Sequence, residues 1–201
     1  MPRGLALVVL ALLCAGSFAD AAQPPVSEPD GYWTGPINDP VPSTLKGARV
    51  IHTAELGKLI RRQGGSIVIV DVSNAPRRPD NLPETTQWLP VPHRALPGAV
   101  WIPGAGLGDI PAPIDVYYRK RLAEVSGGDL QRPLIVYCHE RCWLSWNAAR
   151  RAVEYGYRNV YWYPDGIEGW RAAKQPTAII DPETPGEIRG RETPGGAHPR
   201  N

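Results

Sequence analysis

Four short apolar runs punctuate the middle of the chain: Ile67-Val68-Ile69-Val70, Ala99-Val100-Trp101-Ile102, Leu134-Ile135-Val136-Tyr137, and the stretch from Asn159 to Tyr163. The first and third are continuous rather than alternating and rich in β-branched residues, which predicts strands buried on both faces of a parallel sheet. Between the runs, apolar residues recur at helical spacing. Leu56, Leu59 and Ile60 form a stripe with Thr53 as N-cap and Glu55 in the first turn, and Gly64-Gly65 ends it. A second helix is expected from Tyr117 to Val125, stopped by Gly127-Gly128, and a third from Trp143 to Tyr155, where Leu144, Ala148, Ala152 and Tyr155 share a face before Gly156. Ile167 to Ala173 closes the series. Strands alternating with helices predict an α/β domain with a mainly parallel central sheet flanked by helices.

Composition sharpens the boundaries. The chain holds 23 prolines and 21 glycines among 201 residues, gathered at both ends and in one internal stretch. Residues 22–47 read as an extended Pro/Gly-rich arm, 48–178 as the folded domain, and 179–201 as a disordered tail. Within the domain, Ser73 to about Pro97 is too proline-rich for a helix or a central strand and is expected to be a long loop. The formal net charge is only +2 with both signs interleaved, so nothing in the chain points to nucleic acid.

Residues 1–21 have the form of a secretory signal peptide: Arg3, an apolar run from Leu5 to Leu13, and the small-residue site Ala19-Asp20-Ala21. The run is shorter than the ~20 residues of a permanent span, so no permanent membrane span is expected. Cys14 has Leu13 before it, where a lipoprotein signal needs a small residue, and falls in the discarded segment. Export to the periplasm leaves two cysteines, Cys138 and Cys142, in an oxidising compartment.

Those two cysteines lie where a buried strand gives way to a helix, in Tyr137-Cys138-His139-Glu140-Arg141-Cys142-Trp143-Leu144-Ser145-Trp146. The carboxyl end of a parallel strand is where open sheets place their chemistry, and a helix N-terminus favours negative charge on a thiolate, persulfide or oxyanion. Arg141 and His139 bring cations to the loop and Glu140 opposes them. Two readings are open: a chemically active pair, or a structural disulfide. The latter would close a five-residue loop and constrain little chain entropy. Trp143 and Trp146 share a helix side and serve either as walls for a flat ligand or as core. Asp71, after the first core strand, either accepts N–H groups of the cysteine loop or is an exposed strand-end carboxylate. His93 either folds back onto the site or is a surface histidine. Two thiolates and a histidine (His93 or His139) could hold Cu(I), although Met1 is the only methionine.

Several motifs together resemble the rhodanese-like family. They are Val70-Asp71-Val72, Leu96-Pro97-Gly98-Ala99-Val100-Trp101-Ile102-Pro103, Gly156-Tyr157-Arg158-Asn159-Val160, and Asp165-Gly166-Ile167-Glu168-Gly169-Trp170. The resemblance spans roughly Ala48 to Pro176 and implies the rhodanese-like fold. The Cys-x-x-x-Cys-Trp loop, with Ser145-Trp146-Asn147-Ala148-Ala149 and Tyr161-Trp162-Tyr163-Pro164, is similar to CxxxCW proteins associated with pyrroloquinoline-quinone (PQQ)-dependent catabolism. It departs from an ordinary rhodanese at Leu144, Ser73 and Ala95, where that family has arginine, arginine and histidine. The resemblance implies sulfur transfer or thiol–disulfide exchange, with Cys138 as nucleophile, Arg141 assisting, and Cys142 resolving. His139, Glu140, Trp143, Leu144, Ser145 and Trp146 would then form the substrate-binding surround. Expected partners are a small thiol or sulfane-sulfur donor and a periplasmic quinoprotein dehydrogenase or cytochrome system. The alternative is a non-catalytic accessory protein binding such a system, or a copper chaperone.

Overall fold

The computed structural model describes residues 25–183; the expected signal peptide and residues 184–201 of the expected tail lie outside the described residues. The core is one five-stranded sheet, all parallel, in the order β1-β6-β5-β2-β4. Its strands are β1 (Arg49–Val50), β2 (Val68–Asp71), β4 (Ala99–Trp101), β5 (Leu134–Tyr137) and β6 (Val160–Tyr163). Every residue of β2 and β5 is buried, as the unbroken apolar runs require of strands covered on both faces. Register places Asp71 beside Tyr137, and Tyr137 beside Tyr163, so three strands end together at the carboxyl edge.

Helices cover both faces. On one side α2 (Ala112–Ser126) and α3 (Trp143–Glu154) bury Tyr118, Leu122, Trp146 and Ala149 against Val70, Val136 and Trp162. On the other, α1 (Thr53–Gln63) and α4 (Gly166–Ala172) bury Leu56, Leu59, Ile167 and Trp170 against Ile69, Ile135 and Tyr137. The expected helices are all present, with shifted ends. α2 starts five residues before Tyr117 because Pro113 stands in its first turn, where a missing N–H costs nothing. Thr53 is the first helical residue of α1 rather than its cap. Its N–H and hydroxyl both donate to Asp165 Oδ2 (2.9 and 2.8 Å), a cap delivered from the far end of the chain.

A two-stranded antiparallel sheet, β3 (Arg94–Ala95) with β7 (Ala178–Ile179), has no counterpart in the sequence reading. Two-residue strands are too short to show alternation. The second strand of this sheet stands at the expected boundary between domain and tail. The chain is still held at Ile180, whose N–H donates to His93 O, and at Glu183, whose carboxylate meets Arg121 (2.7 and 2.9 Å). The described residues of the proline-rich arm, 25–47, form no helix or strand and pack against the domain through Val26, Trp33, Ile37 and Val41. No helix of the described residues is long and apolar enough to cross a membrane.

Candidate active site

β5 delivers the chain to the carboxyl edge of the sheet, where Cys138 follows Tyr137 directly. The backbone enters α3 with Cys142 in the N-cap position (φ −111°, ψ 124°). Arg141 before it takes φ 48°, a left-handed conformation that costs a non-glycine residue about 1–3 kcal/mol. Neighbouring groups hold the bend. Arg141 N–H donates to Pro164 O (3.0 Å), Glu140 N–H to Glu168 Oε2 (2.9 Å), and Ile167 N–H to Cys138 O (3.0 Å). Gly166 (φ 60°) lies beneath the loop so closely that a Cβ there would stand 2.3 Å from the His139 carbonyl carbon.

Both cysteines are buried and unbridged. The two thiols diverge in acidity. Burial pushes the Cys138 thiol well up, and the adjoining Cys142 sulfur adds to this against the opposing Ser145 hydroxyl and N–H. The His139 and Cys142 carbonyls, 3.7 and 3.9 Å from Cys138 Sγ, are acceptors that also favour the protonated thiol. Cys142 is lowered to about 7, first by the neighbouring Cys138 thiol, against the opposing effect of burial. Leu144 N–H at the helix start, the His139 imidazole and the His139 N–H add to the lowering. Both sulfurs are buried where β5 gives way to α3, with Cys142 at the N-cap position, where the start of the helix favours negative charge.

The other site residues divide. Arg141 is 75% exposed and turns to Glu140 (Nε–Oε1 3.4 Å), so it is not at the sulfurs as expected; the left-handed bend points it outward. His139 is exposed and bound to Glu168 through Nδ1 (2.8 Å). Burial raises the Glu168 carboxyl, but His139 and Glu140 N–H outweigh it and hold the group below the usual range. Ser145 is buried, donating to Cys142 O (3.0 Å) and receiving Trp162 Nε1 (3.0 Å). Trp146 is core, its Nε1 donating to Thr44 O of the arm (3.1 Å). Leu144 is buried, and its carbonyl leaves room opposite for nothing larger than Gly106, whose Cβ would stand 2.2 Å away.

Sequence reasoning missed the arm's part in the site. Trp33 stacks on Trp143 (4.5 Å, 12°), and Ile37 O accepts Trp143 N–H (2.9 Å). Asn147, buried one turn after Trp143, clamps the arm. Its Oδ1 accepts Trp33 N–H (2.9 Å), while Nδ2 donates to Trp33 O (2.9 Å) and Gly106 O (3.0 Å). A cleft of about 180 Å³ remains between the arm and the start of α3, lined by Trp33, Ile37, Gly106, Asp109, Trp143 and Asn147. A lone tryptophan in a Pro/Gly arm, and an asparagine at i+4 from a buried tryptophan, were the signals available. Asn147→Ala removes one buried and two half-buried bonds and is expected to cost about 2 kcal/mol in a urea melt, while speeding alkylation of Cys142.

Asp71 departs from its expected place. It is fully buried, accepting Ser73 N–H (2.8 Å) and pairing with His93 Nε2 (2.8 Å), so its oxygens serve the opposite sheet face rather than the cysteine loop. His93 is correspondingly not a surface residue, and it is committed away from the sulfurs. Among the described residues no group of three His, Cys, Asp or Glu is placed to hold a metal.

Comparison with known proteins gives one family. The rhodanese-like domain model matches residues 53–173. No curated protein matches the chain. Among solved structures, it is similar to a thiosulfate sulfurtransferase from Pseudomonas aeruginosa (21% identity, TM-score 0.44), covering 67% of this chain and 21% of that one. It is also similar to a 3-mercaptopyruvate sulfotransferase from Escherichia coli (20%, TM-score 0.47; 69% and 53% covered). A third is a polysulfide-sulfur transferase from Wolinella succinogenes (18%, TM-score 0.41; 66% and 79% covered). The chain thus spans about a fifth of the first and about half of the second.

Proposed function

This chain belongs to the rhodanese-like family, and on that premise we propose that it performs sulfur transfer or thiol–disulfide exchange with its two cysteines, Cys142 attacking and Cys138 resolving. The observation that carries the reading is two buried, unbridged thiols placed together at the start of α3, Cys142 at its N-cap position. A Cys142 thiol lowered to about 7 is populated as thiolate at neutral pH, and Cys138 is the neighbouring thiol that would finish the exchange.

In the first step the Cys142 thiolate attacks a donor disulfide, R–S–S–R′. A Cys142–S–S–R bond forms and R′–S⁻ leaves. Cys138 then loses its proton to solvent and attacks the Cys142 sulfur, forming the Cys138–Cys142 disulfide and expelling R–S⁻. The donor gains two electrons and the pair loses two. A persulfide donor, R–S–SH, follows the same course through Cys142–S–SH and releases HS⁻. A small thiol resets the pair by the reverse exchange. The backbone N–H groups of Glu140, Arg141 and Trp143 are already given to Glu168, Pro164 and Ile37, which argues against an open cradle for an oxyanion donor such as thiosulfate.

The signal-like segment supports a periplasmic setting, and the CxxxCW resemblance supports a place beside a quinoprotein dehydrogenase or cytochrome system of PQQ-dependent catabolism. A second reading, a non-catalytic accessory protein, is favoured by the near-complete burial of both sulfurs. Thiol labelling across defined redox potentials separates the two. Reversible titration in the folded protein supports exchange, and a pair inert until unfolding leaves the accessory reading. Within the exchange reading, the alkylation rate of Cys142 rises through pH about 7. In Cys138→Ala that midpoint moves up, because the largest lowering influence has been removed.

A further inference from the structure

We infer that the groove beyond the ends of β2 and β4 is a second binding site, for a neutral single-ring molecule bearing one hydroxyl donor, with His93 as the acceptor. The site lies on the sheet face opposite the cysteines. Side chains alternate along β2, so Asp71 shares the side of Ile69 and the α1/α4 layer, while Val70 and Val72 face the layer that holds Cys138.

Asp71 is fully buried there, and two groups converge on it. Ser73 N–H donates to Oδ1 (2.8 Å), and His93 Nε2 stands 2.8 Å from Oδ2. Facing Asp71 Oδ2, the imidazole in its Nε2–H tautomer donates to the carboxylate. The lone pair of a neutral ring is then on Nδ1, for which no partner stands among the described residues. The ring itself is fixed. It stacks on Trp101 (3.8 Å, 19°), Trp101 Nε1 is bound to Ser73 O (2.7 Å), and Ile180 N–H holds the His93 carbonyl (3.2 Å). Nearby, the buried Ser73 Oγ also lacks a partner among the described residues, so the cluster holds more hydrogen-bonding capacity than the protein uses.

The cavity against this ring has a volume of about 290 Å³, the lower end of ligand pockets, which suits one ring rather than a cofactor. Its walls are Trp101, Pro76, Pro90, Val91 and Ile180, all flat or branched apolar surfaces. Asp181 on the wall and Asp71 behind His93 both disfavour an anion, so the sulfur anions proposed for the cysteines are excluded from this pocket. What remains is a neutral apolar ring with one donor to satisfy Nδ1, which is the chemistry of a phenol.

The test uses the whole chain with phenol and anisole as probes, the second having the same ring and no donor. Imidazole ¹⁵N spectra during each titration report the site. The expected result is a saturable shift of His93 Nδ1 with phenol, a dissociation constant at least ~10-fold below that for anisole, and the same preference in the double variant C138A/C142A. His93→Phe, which keeps the stack on Trp101 and removes the acceptor, should lose the preference. Equal binding of the two probes, phenol binding without a His93 shift, or no saturable binding by ~10 mM would overturn the inference. So would loss of the preference in the double cysteine variant, which would place the probe at the cysteines. Because the cysteine chemistry is read separately by redox labelling, the two proposals fail independently.

Discussion

Cys142→Ala is expected to abolish the first exchange step, whereas Cys138→Ala should permit it and stop the second. At pH 7 a thiol lowered to about 7 is about half ionised, while one of ordinary pKa near 8.5 is only a few per cent thiolate. The loss on removing Cys142 is therefore about 15-fold, and greater because burial holds Cys138 above the ordinary range. In Cys138→Ala the Cys142–S–S–R species has no internal thiol to resolve it and accumulates at one adduct per chain. Intact-mass spectrometry after incubation with a small disulfide distinguishes the cases. An adduct on Cys138 in the Cys142→Ala protein, formed at the wild-type rate, would restore the order implied by the family resemblance and refute the order proposed here.

Gly166→Ala is expected to be the most damaging substitution outside the cysteines. The residue sits at φ 60°, where a side chain costs about 1–2 kcal/mol. Its new Cβ would also meet the His139 carbonyl carbon at 2.3 Å, Glu140 N at 2.5 Å and Cys138 O at 2.7 Å. These are backbone atoms of the cysteine loop and cannot swing aside like a long side chain, so overpacking adds a further 1–3 kcal/mol. A total loss of about 3 kcal/mol should appear as a lower urea midpoint with an unchanged slope. The collision also pushes the loop off α4, so Cys142 should alkylate faster and with a midpoint above pH 7. A variant with wild-type stability and labelling would mean that the floor beneath the loop is soft.

Much of the architecture was legible because burial on both faces leaves a direct mark. The runs in β2 and β5 are apolar throughout, and the strand–helix alternation leaves few topologies once crossovers are right-handed. The position of Cys138 and Cys142 between β5 and α3 was readable for the same reason. The division of labour between them was not. It depends on the groups packed around each sulfur, which the left-handed bend at Arg141 (φ 48°) helps to set. The same bend turned Arg141 to solvent, although its sequence position suggested help at the sulfurs.

Other parts of the site were settled by residues far apart in the chain. Trp33, Ile37 and Asn147 meet over the helix start across more than a hundred positions, and Asp165 caps α1 from the far end of the sequence. Asp71 and His93 belong to segments joined by a proline-rich loop without periodicity, yet they pair at 2.8 Å. The sequence by itself determined the class of fold, its strands and helices, and the place of the two cysteines, because periodic burial and strand–helix alternation are local properties of the chain. The tertiary structure alone decided how deeply the two thiols are buried, what covers the loop, and where Asp71 and His93 point. Those outcomes depend on desolvation and hydrogen bonding between distant segments, and no local pattern encodes them.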